Sequence, residues 1–346
     1  MPGPDAIAMQ ASALRPIAGG RLALSALGLG TAALAGLYTP VSAHDAEETL
    51  AQAWEAGLRY FDTAPFYGYT RSERRVGAFL AERPRDAFVL GTKVGRLMRP
   101  DPGVAPLDDG WANPLPFRPV FDYSRDAILR SVEDSLQRLG LARIDMLLVH
   151  DIGRMTHGDR HDRHWEALTR GGGFRALEEL RAEGRVAAIG LGVNESAVAR
   201  DAMGEVHLDC TLLAGRHTLL EQGALGFLDQ CAKAGTAIIV GGPFNSGLLA
   251  GQAKFDYADA PPSALSRAAA LRAACAEFDV PLEAAALQFP LAHPAVAAVL
   301  CGMRSAEQVR QNVAWFERAI PTALWDALRE RGLVDPQSPC PVGSAA

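Results

Sequence analysis

Short apolar runs alternate along nearly the whole chain with longer stretches in which apolar residues recur every third or fourth position. The first pattern is that of strands buried on both faces, and the second is that of helices with one apolar stripe. Their regular alternation is the signature of βα units around a parallel sheet. Eight strands are predicted: Ala26 to Gly30, Tyr60 to Asp62, Phe88 to Thr92, Asp145 to His150, Ala187 to Gly192, Leu208 to Leu213, Ala237 to Val240 and Val296 to Leu300. Helices are predicted at Ala46 to Ala56, Ser72 to Leu80, Arg125 to Leu139, Phe174 to Glu183, Ala197 to Met203, Ala224 to Ala234, Leu265 to Phe278 and Glu307 to Phe316. Gly57, Gly140, Gly184 and Gly235 fall just past helix ends, where a left-handed residue closes the last turn, and Ser305 with Gln308 has the spacing of a capping box.

Eight alternations without a break in composition fit a closed (β/α)8 TIM barrel, an α/β fold, better than an open doubly wound sheet. Residues 1–346 are expected to form one domain. An N-terminal β-hairpin over Leu14 to Ala23, turning at Gly19-Gly20, would close the barrel bottom. Pro281 to Leu291 and Pro321 to Arg331 are expected as extra helices. Met98 to Tyr123, with six prolines plus Trp111, Phe117 and Phe121, is expected as a long irregular loop over the C-terminal face of the barrel.

Composition narrows the class. The chain has 346 residues, 49% of them hydrophobic, and a net charge of -6, so a large core is available and nothing points to nucleic acid or an anionic membrane as partner. The five cysteines are widely spaced without a C-x-x-C pair, which argues against a disulfide framework or a zinc site. Only three of the 34 basic residues are lysines, so Lys93 stands out. Arg21, the apolar run Leu22 to Leu37 and Val41-Ser42-Ala43 together imitate a secretion signal, but cleavage there would remove the first strand, and a cytoplasmic location is expected.

Polar residues gather where predicted strands end: Asp62 after Tyr60-Phe61, Lys93 after Gly91-Thr92, and His150-Asp151 after Leu147-Leu148-Val149, with Tyr67 on the loop that follows Asp62. In a barrel these ends share one face, the face that carries the active sites of barrel enzymes. Singly, each has an ordinary structural explanation as a cap, a surface cation, a loop aromatic or a strand-end histidine. Jointly they are a phenol, an ammonium, a carboxylate and an imidazole, a set suited to moving a proton while a hydride is transferred.

With these strand ends, the sequences Tyr60-Phe61-Asp62-Thr63-Ala64, Tyr67-Gly68, Gly91-Thr92-Lys93 and Asp145 to His150 resemble the aldo-keto reductase superfamily. Phe121 to Ser124 and Ala214 to Arg216 are most similar to its bacterial sugar 1-dehydrogenases, of the D-threo-aldose or L-fucose type, and their pyridoxal dehydrogenase relatives. The resemblance implies a catalytic set of Asp62, Tyr67, Lys93 and His150 and a nicotinamide dinucleotide bound without a Gly-rich Rossmann turn. Lys93 would lower the pKa of Tyr67, Asp62 would orient Lys93, and His150 would hydrogen-bond the reacting oxygen. The cofactor would lie on Asn194, His217, Pro243, Phe244, Ser246, Gly247, Leu248, Gly302, Arg304, Ser305, Gln308 and Asn312. In this set the amides of Ser246, Gly247 and Leu248 would wrap the pyrophosphate, and His217 would stack on the nicotinamide. Gly302 and Gln308, where NADPH-preferring relatives carry cations, favour NAD, with NADP as the alternative. Trp111, Phe117 and Asp151 would line the substrate pocket, and no metal is implied.

The reaction expected from this resemblance is oxidation of an aldose at C1 to the lactone. Pyridoxal oxidation and general aldehyde reduction are its alternatives, and a nucleotide-sensing binding protein is the reading from another class. Three decoys are set aside. Gly28-x-Gly30-x-x-Ala33 imitates a dinucleotide fingerprint, but Gly36 and Pro40 interrupt the helix it would need. Gly171-Gly172-Gly173 reads as a flexible connection, and the histidines at 157, 161 and 164 as a solvated loop.

Overall fold

The computed structural model describes residues 6–256 and 258–342. Eight parallel strands close into a barrel: β1 (Leu27–Gly30), β2 (Tyr60–Asp62), β3 (Val89–Val94), β4 (Met146–His150), β5 (Ala188–Val193), β6 (Cys210–Ala214), β7 (Ala237–Gly241) and β8 (Val296–Gly302). Closure is made by β8 on β1, from Val299 opposite Leu27 to Gly302 opposite Gly30. Helices α1 (Ala43–Glu55), α2 (Arg71–Leu80), α3 (Arg125–Leu139), α4 (Gly173–Ala182), α5 (Ser196–Met203), α6 (Leu225–Ala234), α7 (Pro262–Ala276) and α8 (Ala306–Glu317) follow the strands in turn. All eight predicted strands and all eight predicted helices are present, with ends shifted by a few residues.

The strand period of two divides the apolar residues between two cores. Tyr60, Met146, Leu148, Cys210 and Ile239 point into the barrel, while their neighbours Phe61, Leu147 and Ile238 point out against the helices. Ile17, Ala18 and Leu24 join the inner cluster, so the hairpin formed by Leu14–Ile17 and Leu22–Ser25 plugs the bottom as expected. Gly28 serves this inner packing, because a Cβ there would lie 2.5 Å from the Tyr60 ring. The stretch after it forms only a short 3-10 turn at Ala33–Ala35, which disposes of the dinucleotide fingerprint.

The residues that imitated a secretion signal have structural roles. Arg21 pairs with Asp209 at 2.5 Å, and Ser42 caps α1 by accepting from the Asp45 amide at 3.0 Å. Among the described residues no helix is long and apolar enough to cross a membrane.

Three expectations are corrected. The segment 98–123 is not irregular throughout, since Arg96–Pro100 pairs antiparallel with Phe117–Phe121. A two-stranded ribbon consists only of edges, so Pro100 and Pro119 are tolerated where a central strand would exclude them. The triple glycine is a tight junction: a Cβ on Gly173 would meet the Tyr123 carbonyl at 2.1 Å. The histidine segment is not a loop, and two of its histidines are not solvated, although most of its other residues are exposed. It forms two short helices, Arg154–His157 and His161–Leu168, with His157 and His161 buried and His157 bonded to the Tyr123 hydroxyl at 2.8 Å.

Candidate active site

Asp62 ends β2 and Lys93 lies on its neighbour β3, so the two side chains meet inside the barrel mouth. The ammonium is 2.5 Å from Asp62 Oδ1 and also donates to the Thr63 carbonyl at 3.0 Å. Two glycines provide the room. A Cβ on Gly91 would lie 3.2 Å from Asp62 Oδ2, and one on Gly192 would lie 3.1 Å from Lys93 Cε. The pair is 1% and 2% exposed, so each charge depends on the other: breaking a buried ion pair costs about 3–5 kcal/mol.

Tyr67 stands beside this pair, its ring centroid 4.7 Å from the Lys93 ammonium. The His150 ring, at the end of β4, meets the Tyr67 ring edge-on with centroids 5.9 Å apart. Asp62, Lys93 and His150 are buried, whereas Tyr67 is half-buried and is the member offered to the mouth. Phe66 and Trp111 wall the other side, with Trp111 5.9 Å from the Tyr67 ring and 5.6 Å from Phe66. Phe117 packs on the same aromatic cluster from the ribbon.

Charges in this pocket are set by burial and near neighbours. Burial works against the Lys93 ammonium, but Asp62 and Tyr67 outweigh it and hold the pKa above its ordinary value. Burial raises the Tyr67 phenol, and Lys93 pulls it back only in part. The expectation that the ammonium leaves Tyr67 below its ordinary value is therefore corrected, because desolvation of a phenolate is the larger effect. His150 is held well below the usual histidine range by burial and by the cations Arg96 and Lys93, so its imidazole is neutral at physiological pH.

Around this set lies a supporting layer. Asp151 has a left-handed backbone (φ 42°) and pairs with Arg96 at 2.5 Å. Asn194, just past β5, donates to the other Asp151 oxygen at 3.1 Å. Glu73 on α2 accepts from Thr92 at 2.7 Å and pairs with Arg138 at 2.5 Å, pinning β3 from behind. Sequence reasoning missed Arg96. The only signal was an arginine three residues beyond Lys93, and nothing in the one-dimensional pattern separates it from a surface cation.

Of the residues expected to hold a dinucleotide, Asn194, His217 and the stretch from Pro243 to Leu248 follow the ends of β5, β6 and β7, Gly302 ends β8, Arg304, Ser305 and Gln308 lie at the start of α8, and Asn312 lies in its middle. Pro243, Phe244, Ser246, Gly247 and Leu248 follow β7 in a coil with positive φ at Asn245, Ser246 and Gly247. The Gly247 and Leu248 amides donate within this coil, to the Phe244 and Asn245 carbonyls, so neither is directed at a phosphate as expected. Ser305 caps α8 by accepting from the Gln308 amide at 3.2 Å, while Gln308 Oε1 accepts from the Arg304 amide at 2.9 Å. Gly302 is exposed and Arg304 half-exposed, whereas Asn312 is buried and donates to the Cys301 sulfur at 3.5 Å. His217 has no exposed surface. It packs on Phe289 and His293, with ring centroids 5.5 and 5.7 Å away, so the expected nicotinamide stack has no open ring face. Among the described residues no three potential ligand side chains converge on a metal position.

Comparison with known proteins agrees with this geometry. Residues 26–331 match the model of the aldo/keto reductase family. The chain is 54% identical to pyridoxal 4-dehydrogenase of Microbacterium luteolum, over 94% of this chain and 99% of the other. It is 41% identical to D-threo-aldose 1-dehydrogenase of a Pseudomonas species, over 90% and 95%. The fold superposes on an aldo-keto reductase of Bacillus halodurans in its holo form with a TM-score of 0.69, at 24% identity, covering 96% of this chain and 98% of that one.

Proposed function

The chain belongs to the aldo/keto reductase family and is an oxidoreductase acting on a CH–OH group or an aldehyde; from that premise we propose that it oxidises a cyclic hemiacetal to a lactone, with NAD as hydride acceptor. Pyridoxal is the first substrate in this reading, and an aldose of the L-fucose or D-threo type the second. Pyridoxal and aldoses share one reactive group, since each closes on its own hydroxyl to put a hydroxyl on the former aldehyde carbon. The order follows the higher identity to the pyridoxal enzyme and the aromatic wall of Phe66, Trp111 and Phe117, which suits a flat ring.

The observation that carries the proposal is the half-buried Tyr67 phenol set between a buried ammonium–carboxylate pair and a neutral imidazole. Tyr67 accepts the hydroxyl proton of the hemiacetal. Lys93 stabilises the phenolate form of Tyr67 that takes this proton, and Asp62 keeps Lys93 protonated and aimed. His150, being neutral, donates to the reacting oxygen without competing for its proton. When bound, the nicotinamide ring supplies the acceptor for the hydride leaving carbon. Reduction of an aldehyde retraces these steps.

Two features of the mouth support a dinucleotide there. Gly302 is open, with no atom nearer than 3.9 Å to a Cβ built on it, and half-exposed Arg304 lies just ahead of the α8 N-terminus, where anions are favoured. Neither Gly302 nor Gln308 carries a charge, so Arg304 alone would face an additional phosphate at this end, and this shortage of cations supports NAD over NADP. Asp151, Trp111 and Phe117 are proposed to contact the substrate.

A screen of pyridoxal, L-fucose and other aldoses, and simple aldehydes with both cofactors, read by nicotinamide absorbance, tests the reading. Lactone formation from pyridoxal with NAD is expected. Turnover confined to open-chain aldehydes would overturn the hemiacetal assignment.

A further inference from the structure

Arg96 is 5% exposed, and its Nη2 lies 2.5 Å from Asp151 Oδ2. Its guanidinium carbon sits 4.3 Å over the Phe66 ring and 5.1 Å over Phe121. Its contacts touch the catalytic set at three points. Phe66 precedes Tyr67, Asp151 follows His150, and Arg96 itself comes three residues after Lys93. The carboxylate between them is fixed from a second side, because Asn194 holds Oδ1 at 3.1 Å. The oxygen that Arg96 holds lies 3.4 Å from His150 Nε2. A single buried cation thus ties together the segments that carry the phenol, the ammonium and the imidazole.

We propose that Arg96 is a positioning residue for the oxidoreductase reaction: through Asp151 and Phe66 it fixes the His150 imidazole against Tyr67 and keeps that imidazole uncharged. The groups facing His150 explain the second effect. Tyr67 faces it from the loop after β2, Lys93 from β3, Arg96 from beyond β3, Asp151 from the end of its own strand, and the uncharged Asn194 holds Asp151 from beyond β5. The one adjacent carboxylate is already taken by Arg96 and Asn194, and Lys93 has its own in Asp62. A proton on His150 would therefore add a third cation to a dry pocket with no counter-ion left for it. An arginine that merely filled space would hold the same loops together without affecting this titration.

The inference rests on the proposed reaction, so two readouts separate them. Steady-state kinetics with pyridoxal and NAD across about pH 5 to 9 are measured for Arg96→Met, Arg96→Lys and the double variant Arg96→Met with Asp151→Asn. Nitrogen-15 spectra of the imidazoles, assigned through His150→Asn, follow the titration directly without turnover. Arg96→Met is expected to lower kcat roughly 10- to 100-fold with KM for NAD little changed, and to add a second, steeper fall at the acid end of the profile to the gradual one that Tyr67 gives the parent. In its spectra the His150 midpoint rises by about one pH unit or more. Arg96→Lys, which keeps the charge, is expected to retain the parent's pH profile. The double variant leaves no carboxylate beside His150, so its midpoint is expected to stay near the parent's; if Arg96→Met does not fold, Arg96→Gln, which keeps a polar partner for Asp151 but no charge, is read in its place. An unchanged kcat and an unchanged His150 midpoint would overturn the proposal. Should the parent turn over no hemiacetal at all, the proposed function fails, and the imidazole spectra alone decide the role of Arg96.

Discussion

The two halves of the barrel mouth are built in opposite ways. On the β2–β4 side, side chains carry the proposed chemistry: a 2.5 Å ion pair inside the barrel, a phenol and an imidazole set edge-on, and glycines that leave room for them. On the β7–β8 side, backbone dominates, with a coil of left-handed residues in which the Asn245, Gly247 and Leu248 amides are already engaged and a capped helix end with Arg304 half-exposed beside it. The contrast teaches that the reacting groups are preorganised, whereas the cofactor side has fewer polar groups fixed toward a ligand. Loss of function is therefore expected to be steep on the first side and shallow on the second.

The steepest effect is expected from Lys93→Met, which removes the cation beside the phenol and strands Asp62 in a buried site. It should lower kcat/KM by about 10³-fold or more, measured as initial rate, while nucleotide binding followed by fluorescence changes little. A comparable loss on Arg304→Ala would break the comparison between the two halves.

The pH dependence of oxidation comes next. Tyr67 acts as a base only when deprotonated, and burial places its pKa above the ordinary tyrosine value. The oxidation rate should therefore climb with pH and reach no plateau below about pH 10. A plateau near neutrality would mean that another group is the base.

On the cofactor side, Arg304→Ala should raise KM for the dinucleotide by about 5- to 10-fold, the equivalent of one exposed ionic contact of roughly 1 kcal/mol, with kcat nearly unchanged.

His217→Phe should have the smallest effect on rate, because the ring is buried away from the mouth and both its nitrogens lack partners. Its signature is in acid stability instead. Burial pulls the His217 pKa down to about 3. Below the unfolded value near 6.5, the unfolded chain takes up a proton that the folded one refuses, so stability falls as pH drops from about 6.5 toward 3. At pH 5 this amounts to about 2 kcal/mol, and His217→Phe should remove that share of the acid loss, measured by urea unfolding at pH 7 and pH 5. A large loss of kcat in His217→Leu, which has no ring to stack, would restore the stacking role that the structure denies it.

What the sequence disclosed divides along the same line. The barrel was legible because buried parallel strands and one-sided helices impose different periods, and Asp62, Lys93 and His150 were legible as candidates because the ends of parallel barrel strands bring them to one face, although each alone has an ordinary structural explanation. Arg96 was not, since its importance lies in contacts with Phe66, Phe121 and Asp151, which only the closed fold assembles. The same reason explains why His157 looked solvated and is buried against Tyr123, and why His217 looked like a cofactor contact and lies in the core. The engagement of the Gly247 and Leu248 amides depends on dihedral angles that no residue pattern there specifies.

The central claim is that Tyr67 passes the substrate proton while a hydride goes to NAD. The direct measurement is the growth of reduced-nicotinamide absorbance when pyridoxal and NAD are mixed with the parent protein and with Tyr67→Phe. The account predicts steady growth for the parent and a rate lower by about 10²- to 10⁴-fold for the variant, with the nucleotide still bound. Equal rates for the two proteins would contradict it.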